Sequence, residues 1–167
     1  MKSERSFLVI VRQVLEWRIH AHARCPTLPP RTWGPWKKSG GKGILGHMST
    51  SIEWLPEPEE ANYPAALSYL SLLFRDSSQI VEKLKKAPVT QFKAKDIFRA
   101  SGLSLLGISN SHVQKDLAKI AAGKHLSPIL LVRREGEKVI IADGYHRICA
   151  VYSLNEDAVI PCKMVSF

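Results

Sequence analysis

Asp143-Gly144-Tyr145-His146-Arg147 stands between two apolar segments, and this stretch decides the interpretation of the chain. The preceding Val139-Ile140-Ile141-Ala142 is rich in β-branched residues, which indicates a buried strand. The following Ile148-Cys149-Ala150-Val151-Tyr152 has the apolar spacing of a helix, and Asn155 ends it. Because Asp-Gly is a turn signal, the sequence predicts a strand that turns sharply into a helix at about residues 145–154.

A turn of this kind suits a bound anion. The first N–H groups of a helix have no intrahelical acceptor and lie at the positive end of its dipole. His146 and Arg147 add donors in the first turn, so we predict a phosphate site at Gly144, Tyr145, His146 and Arg147. A structural alternative stays open: Arg147 pairs with Asp143, and His146 only caps the helix or packs.

The surrounding pattern predicts the rest of the fold. Strands are expected at residues 128–133 and 138–142, joined as a hairpin, with a last strand at about 159–165. Upstream, we predict a helical pair between residues 62 and 88, a strand at 89–92, and a helix from Ser109 or Asn110 to Gly123. Residues 92–99 predict a strand that passes into a turn of helix before Gly102. The fold class is therefore α/β (α+β), with a small mixed sheet preceded by a helical pair.

Several ordered pieces of the chain resemble the ParB/sulfiredoxin superfamily. The turn at residues 143–147, followed by the small Ala150, resembles its strand-turn-helix signature. Ile160-Pro161-Cys162-Lys163 resembles the Ile-Pro-x-Lys strand of sulfiredoxins, and Leu126-Ser127-Pro128 resembles the proline-led strand before the signature. The resemblance covers roughly residues 89–167 and implies a compact ParB/sulfiredoxin-like domain.

The resemblance also implies a function. It suggests a phosphate- or nucleotide-binding domain, which includes nucleotide-dependent enzymes, with ATP or CTP as ligand and Mg²⁺ as its ion. Asp143 would then place the metal, and Asp143 and His146 are the candidate catalytic residues. Lys95 is a further candidate phosphate contact. Whether any reaction is catalysed stays open.

Tyr145 departs from both branches of the superfamily. Sulfiredoxins carry the attacking cysteine at this place, and ParB domains often carry a glutamate. A tyrosine offers no thiolate, which argues against sulfiredoxin chemistry but leaves phosphate binding intact. Cys149, one helical turn later, lies among apolar residues and is predicted to be buried and inert. The alternatives are a stand-alone ParB-like DNA-partition, regulatory or nuclease-type module, and a degenerate partner-binding subunit.

Charge is concentrated at the N-terminus. The 167-residue chain has a formal net charge of +9, and residues 1–47 hold nine of its 24 Lys/Arg but only two of its 15 Asp/Glu. Residues 1–47 are therefore predicted to be a basic, Pro/Gly-rich, disordered extension, followed by a helical lead-in at 48–88 and the recognised domain at 89–167. The near-neutral remainder gives little support for DNA binding. We expect no helix-turn-helix after the last strand.

The remaining composition favours the cytoplasm. Cys25, Cys149 and Cys162 are widely spaced and form no CxxC pair, so neither a disulfide framework nor a structural zinc site is expected. The apolar residues 7–11 end at Arg12, which makes them too short to cross a membrane. We therefore expect no membrane partner. The oligomeric state is left open.

Overall fold

The computed structural model describes residues 51–167, so the extension predicted for residues 1–47 lies outside the described residues. Within the described residues there are five helices and four strands. In chain order they are α1 (Asn62–Leu70), α2 (Ser77–Lys86), β1 (Val89–Lys93), α3 (Ala94–Ser101), α4 (Ser111–Ala121), β2 (Ile129–Arg133), β3 (Ile140–Asp143), α5 (Tyr145–Leu154) and β4 (Val159–Ser166).

The four strands form one mixed sheet in the order β1-β4-β2-β3. β2 and β3 pair antiparallel, as the predicted hairpin requires, and β1 pairs antiparallel with β4. β2 and β4 run parallel, with Ile129 opposite Cys162. The prediction of an α+β fold with a small mixed sheet is confirmed. The strand that leads into the motif, β3, is an edge strand.

Helices cover both faces of the sheet, which explains why β2 is apolar at four successive positions. Ile129 and Leu131 pack into the core shared with α3, α4 and α5. Leu130 and Val132 point the other way, into the core shared with α1 and α2. A strand that is buried on both faces does not show the polar alternation of a half-exposed one.

The helical lead-in is held to the sheet by a buried lysine. Lys163 in β4 is 5% exposed, and its Nζ donates to the backbone carbonyl of Lys85 at 2.8 Å and pairs with Glu57 at 2.7 Å. A bridge between Trp54 and Leu126 adds a second attachment. The helical pair that the sequence places before the domain therefore packs as part of one unit, residues 51–167.

The segment at residues 92–99, which the sequence predicts as a strand and then a turn of helix, has this order: β1 ends at Lys93, and α3 follows it to Ser101. Ala94, Ile97 and Phe98 are buried on one side of this helix. Gly102, at φ 63°, then ends it in the left-handed conformation that glycine adopts most readily. The helix is longer than the single turn predicted, because too few apolar positions follow Phe92 to define its full period from the sequence.

Candidate functional site

The predicted turn is present where β3 passes into α5. Gly144 is the N-cap of α5 at φ 99°, and no side chain caps this helix. The first bond of the helix runs from the N–H of Ile148 to the carbonyl of Gly144 at 3.0 Å. Helix geometry therefore leaves the N–H groups of Tyr145, His146 and Arg147 without an intrahelical acceptor of this kind. These donors lie at the positive end of the α5 dipole.

Gly144 is also a point of close approach. A Cβ at this position would stand 2.7 Å from Cδ1 of Ile129 and 2.9 Å from Nη2 of Arg147. The missing side chain thus allows the core and the guanidinium to approach the turn from two sides. The sequence identifies Gly144 as part of a turn, but only the packing shows that its size is constrained.

Arg147 forms an ion pair with Asp143, as the structural alternative proposed. Its Nη2 donates to Oδ2 of Asp143, and the two side chains are only 12% and 21% exposed. The Nε of Arg147, however, is buried and has no hydrogen-bond partner among the described residues. Buried donors are usually satisfied, so this N–H is a candidate contact for an acceptor from a ligand or water.

A polar network fixes the other side of the Asp143 carboxylate. Nδ2 of Asn62 donates to Oδ2 of Asp143 at 2.5 Å, and Oγ of Ser127 donates to Oδ1 of Asn62 at 2.8 Å. The backbone N–H of Glu59 in turn donates to Oγ of Ser127 at 3.0 Å. The sequence indicates Asn62 only as a helix start, because its contact lies 81 positions away along the chain.

A β-bulge precedes the turn. Leu130 pairs with Asp143 and Leu131 pairs with Ile141, so Ala142 is passed over in the register. Bulges re-aim the side chains that follow them. Asp143, at the end of the edge strand β3, here contacts both Asn62 on α1 and Arg147 on α5. These two helices belong to the layers on opposite faces of the sheet.

His146 meets a second histidine from the start of α4. The ring centroids of His112 and His146 lie 4.7 Å apart, with 32° between the ring planes. Burial and the neighbouring His112 lower the pKa of His146 below its usual value of 6.5, while Asp116 and Asp143 oppose the shift. His146 is therefore mostly neutral at pH 7. The sequence does not reveal this pair, because 34 positions separate its members.

The start of α4 carries a side-chain cap, unlike that of α5. Oδ1 of Asn110 accepts from the N–H groups of His112 at 2.9 Å and Val113 at 3.2 Å. We expect Asn110→Ala to lower the free energy of unfolding by about 1 kcal/mol, since two helix donors lose their acceptor. Urea unfolding measures this loss, and Asn110→Asp, which keeps a capping oxygen, is the control. Equal stability of the alanine variant and the wild type would contradict the assigned cap.

Tyr145 and Cys149 line the same end of α5. The hydroxyl of Tyr145 donates to the carbonyl of Ser104 and so attaches the α3–α4 loop, while burial raises the pKa of this phenol. Cys149 is a fully buried free thiol, as the sequence predicts. Burial raises the pKa of this thiol, and a thiol that stays protonated is a poor nucleophile. Tyr145 thus holds the α3–α4 loop against the start of α5.

Lys95 does not join the other predicted phosphate contacts. Its Nζ pairs with Asp157 at 2.7 Å, and Lys93 pairs with the same carboxylate at 3.1 Å. Asp157 follows the C-terminal end of α5, whereas the turn lies at the N-terminal end. Ten residues of helix span about 15 Å, so Lys95 is too far away to share a phosphate with Gly144.

Asp143 is a poor metal ligand in this arrangement. Its Oδ2 already accepts hydrogen bonds from Asn62 and Arg147. The guanidinium of Arg147 already supplies the positive charge that a metal ion would bring. Within residues 51–167 there is no group of three or more His, Cys, Asp or Glu side chains placed to hold an ion. One carboxylate that is already paired does not fit a resident Mg²⁺, which prefers several oxygen ligands.

No protein-family model, curated protein or solved structure matches the chain. A separate finding concerns membranes: in the part of the chain that the structure describes, no helix has the length and apolarity needed for a crossing.

Proposed function

We propose that this protein is a phosphate- or nucleotide-binding protein of the ParB/sulfiredoxin type, and that the phosphate binds at the start of α5. The observation that carries the proposal is the uncapped turn: the N–H groups of Tyr145, His146 and Arg147 have no side-chain cap, and the Nε–H of Arg147 has no partner among the described residues. Gly144 lets the Arg147 guanidinium approach the turn closely, since a Cβ there would stand 3.2 Å from Nε. Donors of this kind are the usual partners of phosphate oxygens.

The residues have distinct roles in this proposal. The backbone of Gly144, Tyr145 and His146 surrounds the phosphate, and the imidazole of His146 borders it. Arg147 offers Nε–H while its Nη2 stays with Asp143, so Asp143 positions the guanidinium instead of holding a metal. Any Mg²⁺ would then arrive with the nucleotide. In this proposal His146 exchanges a proton with the ligand, and Asp143 is not catalytic because its carboxylate is already paired with Arg147.

The test is a thermal-shift and calorimetric titration of the whole chain with ATP, CTP and inorganic phosphate, with and without Mg²⁺. We expect one of these to stabilise the protein, by about 2.7 kcal/mol when the ligand stands at 100 times its Kd. His146→Gln, which removes the imidazole, should weaken binding roughly tenfold, as expected for the loss of one good polar contact.

His125→Gln is the matched control. His125 is exposed beyond the C-terminal end of α4, and the 11 residues of this helix separate it from the turn by about 16 Å. The His125→Gln variant should therefore bind the ligand with the affinity of the wild type. If no ligand stabilises the wild type, the proposal is wrong. The degenerate partner-binding subunit then becomes the better interpretation. It is favoured by one observation, namely that Asp143 and Arg147 already satisfy each other's charge.

A DNA-binding module is distinguished by adding double-stranded DNA to the same titration. Residues 48–167 hold 15 Lys/Arg and 13 Asp/Glu, which is too balanced for strong attraction to a phosphate backbone. We therefore expect these residues to bind DNA weakly. His146→Gln should change the affinity for the small phosphate ligand and leave any DNA affinity unchanged.

A further inference from the structure

His112 and His146 bring two imidazoles together at the junction of two helix starts. Each is the second residue of its helix, α4 and α5 respectively, and their rings pack with centroids 4.7 Å apart. Two protonated rings at this distance repel each other. The positive ends of two helix dipoles also disfavour imidazolium. The contact is therefore favourable only while at least one of the two rings is neutral.

The charges around the pair do not remove this repulsion. The groups that face His146 are His112 and Asp116 on α4, Asp143 on β3 and Arg147 on α5. Asp116 has Lys119 at 3.4 Å, and Asp143 is paired with Arg147, so each nearby carboxylate has a cation beside it. Their attraction for a proton on His146 is reduced accordingly, and burial adds to the cost of charging this ring.

We propose that the His112–His146 contact is a pH-sensitive junction that holds the N-terminal end of α4 and its preceding loop against the start of α5. At neutral pH the two rings pack. On acidification His146 becomes charged at the junction of the two helix starts, and the N-terminal end of α4 separates from α5. The proposal does not depend on the identity of a ligand, but the element that it controls is the same helix start at which phosphate binding is proposed.

The direction of the effect follows from proton linkage. A histidine whose pKa is lower in the folded than in the unfolded chain contributes its full stability above the unfolded value, which is 6.5. That contribution is lost as the pH falls from 6.5 through the lower pKa of the folded protein. The junction should therefore be intact at pH 8 and progressively open below about pH 6.5.

The test combines NMR titration of the histidine ring protons with thermal unfolding between about pH 8 and pH 5. His146→Gln assigns the His146 signal in the full chain. We expect His146 to titrate below the ordinary range in the wild type and to return toward it in His112→Gln. Acidification should lower the wild-type Tm by roughly 3 °C more than that of His112→Gln. His125→Gln should behave as the wild type.

His112→Phe separates repulsion from packing, because phenylalanine keeps an aromatic ring and removes the charge. It should be as stable as the wild type at pH 8 and more resistant to acid. His112 is exposed, so neither substitution at this position should prevent folding. The proposal is overturned if His146 titrates at or above its ordinary range. It is also overturned if the wild type, His112→Gln and His112→Phe lose equal Tm on acidification.

Discussion

Gly144→Ala is expected to lower the free energy of unfolding by about 3 kcal/mol, from two effects of similar size. At φ 99° an alanine is strained in its backbone, wherever its side chain points. In addition, the new Cβ would stand 2.7 Å from Cδ1 of Ile129, a fully buried core residue. Because Ile129 lies on β2 and packs in the core beside α5, its side chain cannot move away from the new Cβ without disturbing the core.

Gly123→Ala is the matched control for this substitution. Gly123 also has positive φ, 65°, but nothing lies within 4 Å of the position of a Cβ. It should therefore show only the backbone cost, about 1 kcal/mol, and the difference between the variants isolates the close approach at Gly144. Urea unfolding followed by circular dichroism gives both values. Equal losses for the two variants would mean that the turn is not sterically constrained.

Arg147→Ala is expected to lower the free energy of unfolding by about 2–3 kcal/mol, because it leaves the Asp143 carboxylate half-buried without its cation. The value lies below that of a fully buried pair, since both side chains retain some exposure. The sequence leaves two outcomes open for this variant. A phosphate contact predicts loss of phosphate binding with the fold intact, whereas a structural ion pair predicts lower stability with unchanged ligand affinity. The Asp143–Arg147 pair therefore makes the loss of stability the expected result, and the affinity of the variant decides whether Arg147 also contacts the phosphate.

A double-mutant cycle distinguishes the pair from its parts. Asp143→Asn and Arg147→Ala should each lower the free energy of unfolding. The double variant should lose less than the sum of the two single losses, by roughly 1 kcal/mol or more. Arg147→Lys, which keeps the charge, should recover part of the stability. Strict additivity of the two single changes would contradict the assigned interaction. Binding is then measured at a temperature at which every variant is folded.

Much of the fold follows from local patterns in the sequence. The motif helix, Tyr145–Leu154, begins and ends at the predicted residues, because an Asp-Gly turn precedes it and Asn155 follows it. The hairpin of β2 and β3 follows from two apolar runs separated by a short polar turn. In contrast, only one turn of helix is predicted within residues 92–99, whereas α3 runs over Ala94–Ser101, since few apolar positions do not define the full helical period.

The site is only partly predictable for a different reason. Gly144, Tyr145, His146 and Arg147 are adjacent in sequence, so the pattern identifies them together. Charge alone suggests Lys95 as a further phosphate contact, but its partner in the structure is Asp157, which lies 62 positions further along the chain. Whether an exposed lysine reaches a phosphate depends on which end of a helix it faces, and local sequence does not encode that.

Local patterns specify the elements and the turn, because helix periods, β-branched runs and Asp-Gly signals act over a few residues. The surroundings of the turn follow from the way the layers pack. The Asp143–Arg147 pair spans only four positions and is one of the two interpretations that the sequence leaves open. The more distant partners come with the packing: Asn62 and Ser127 fix Asp143, and His112 packs on His146. Each of these contacts joins separate elements across the sheet or between helices. They arise from the packing of whole layers, which no short stretch of the chain specifies.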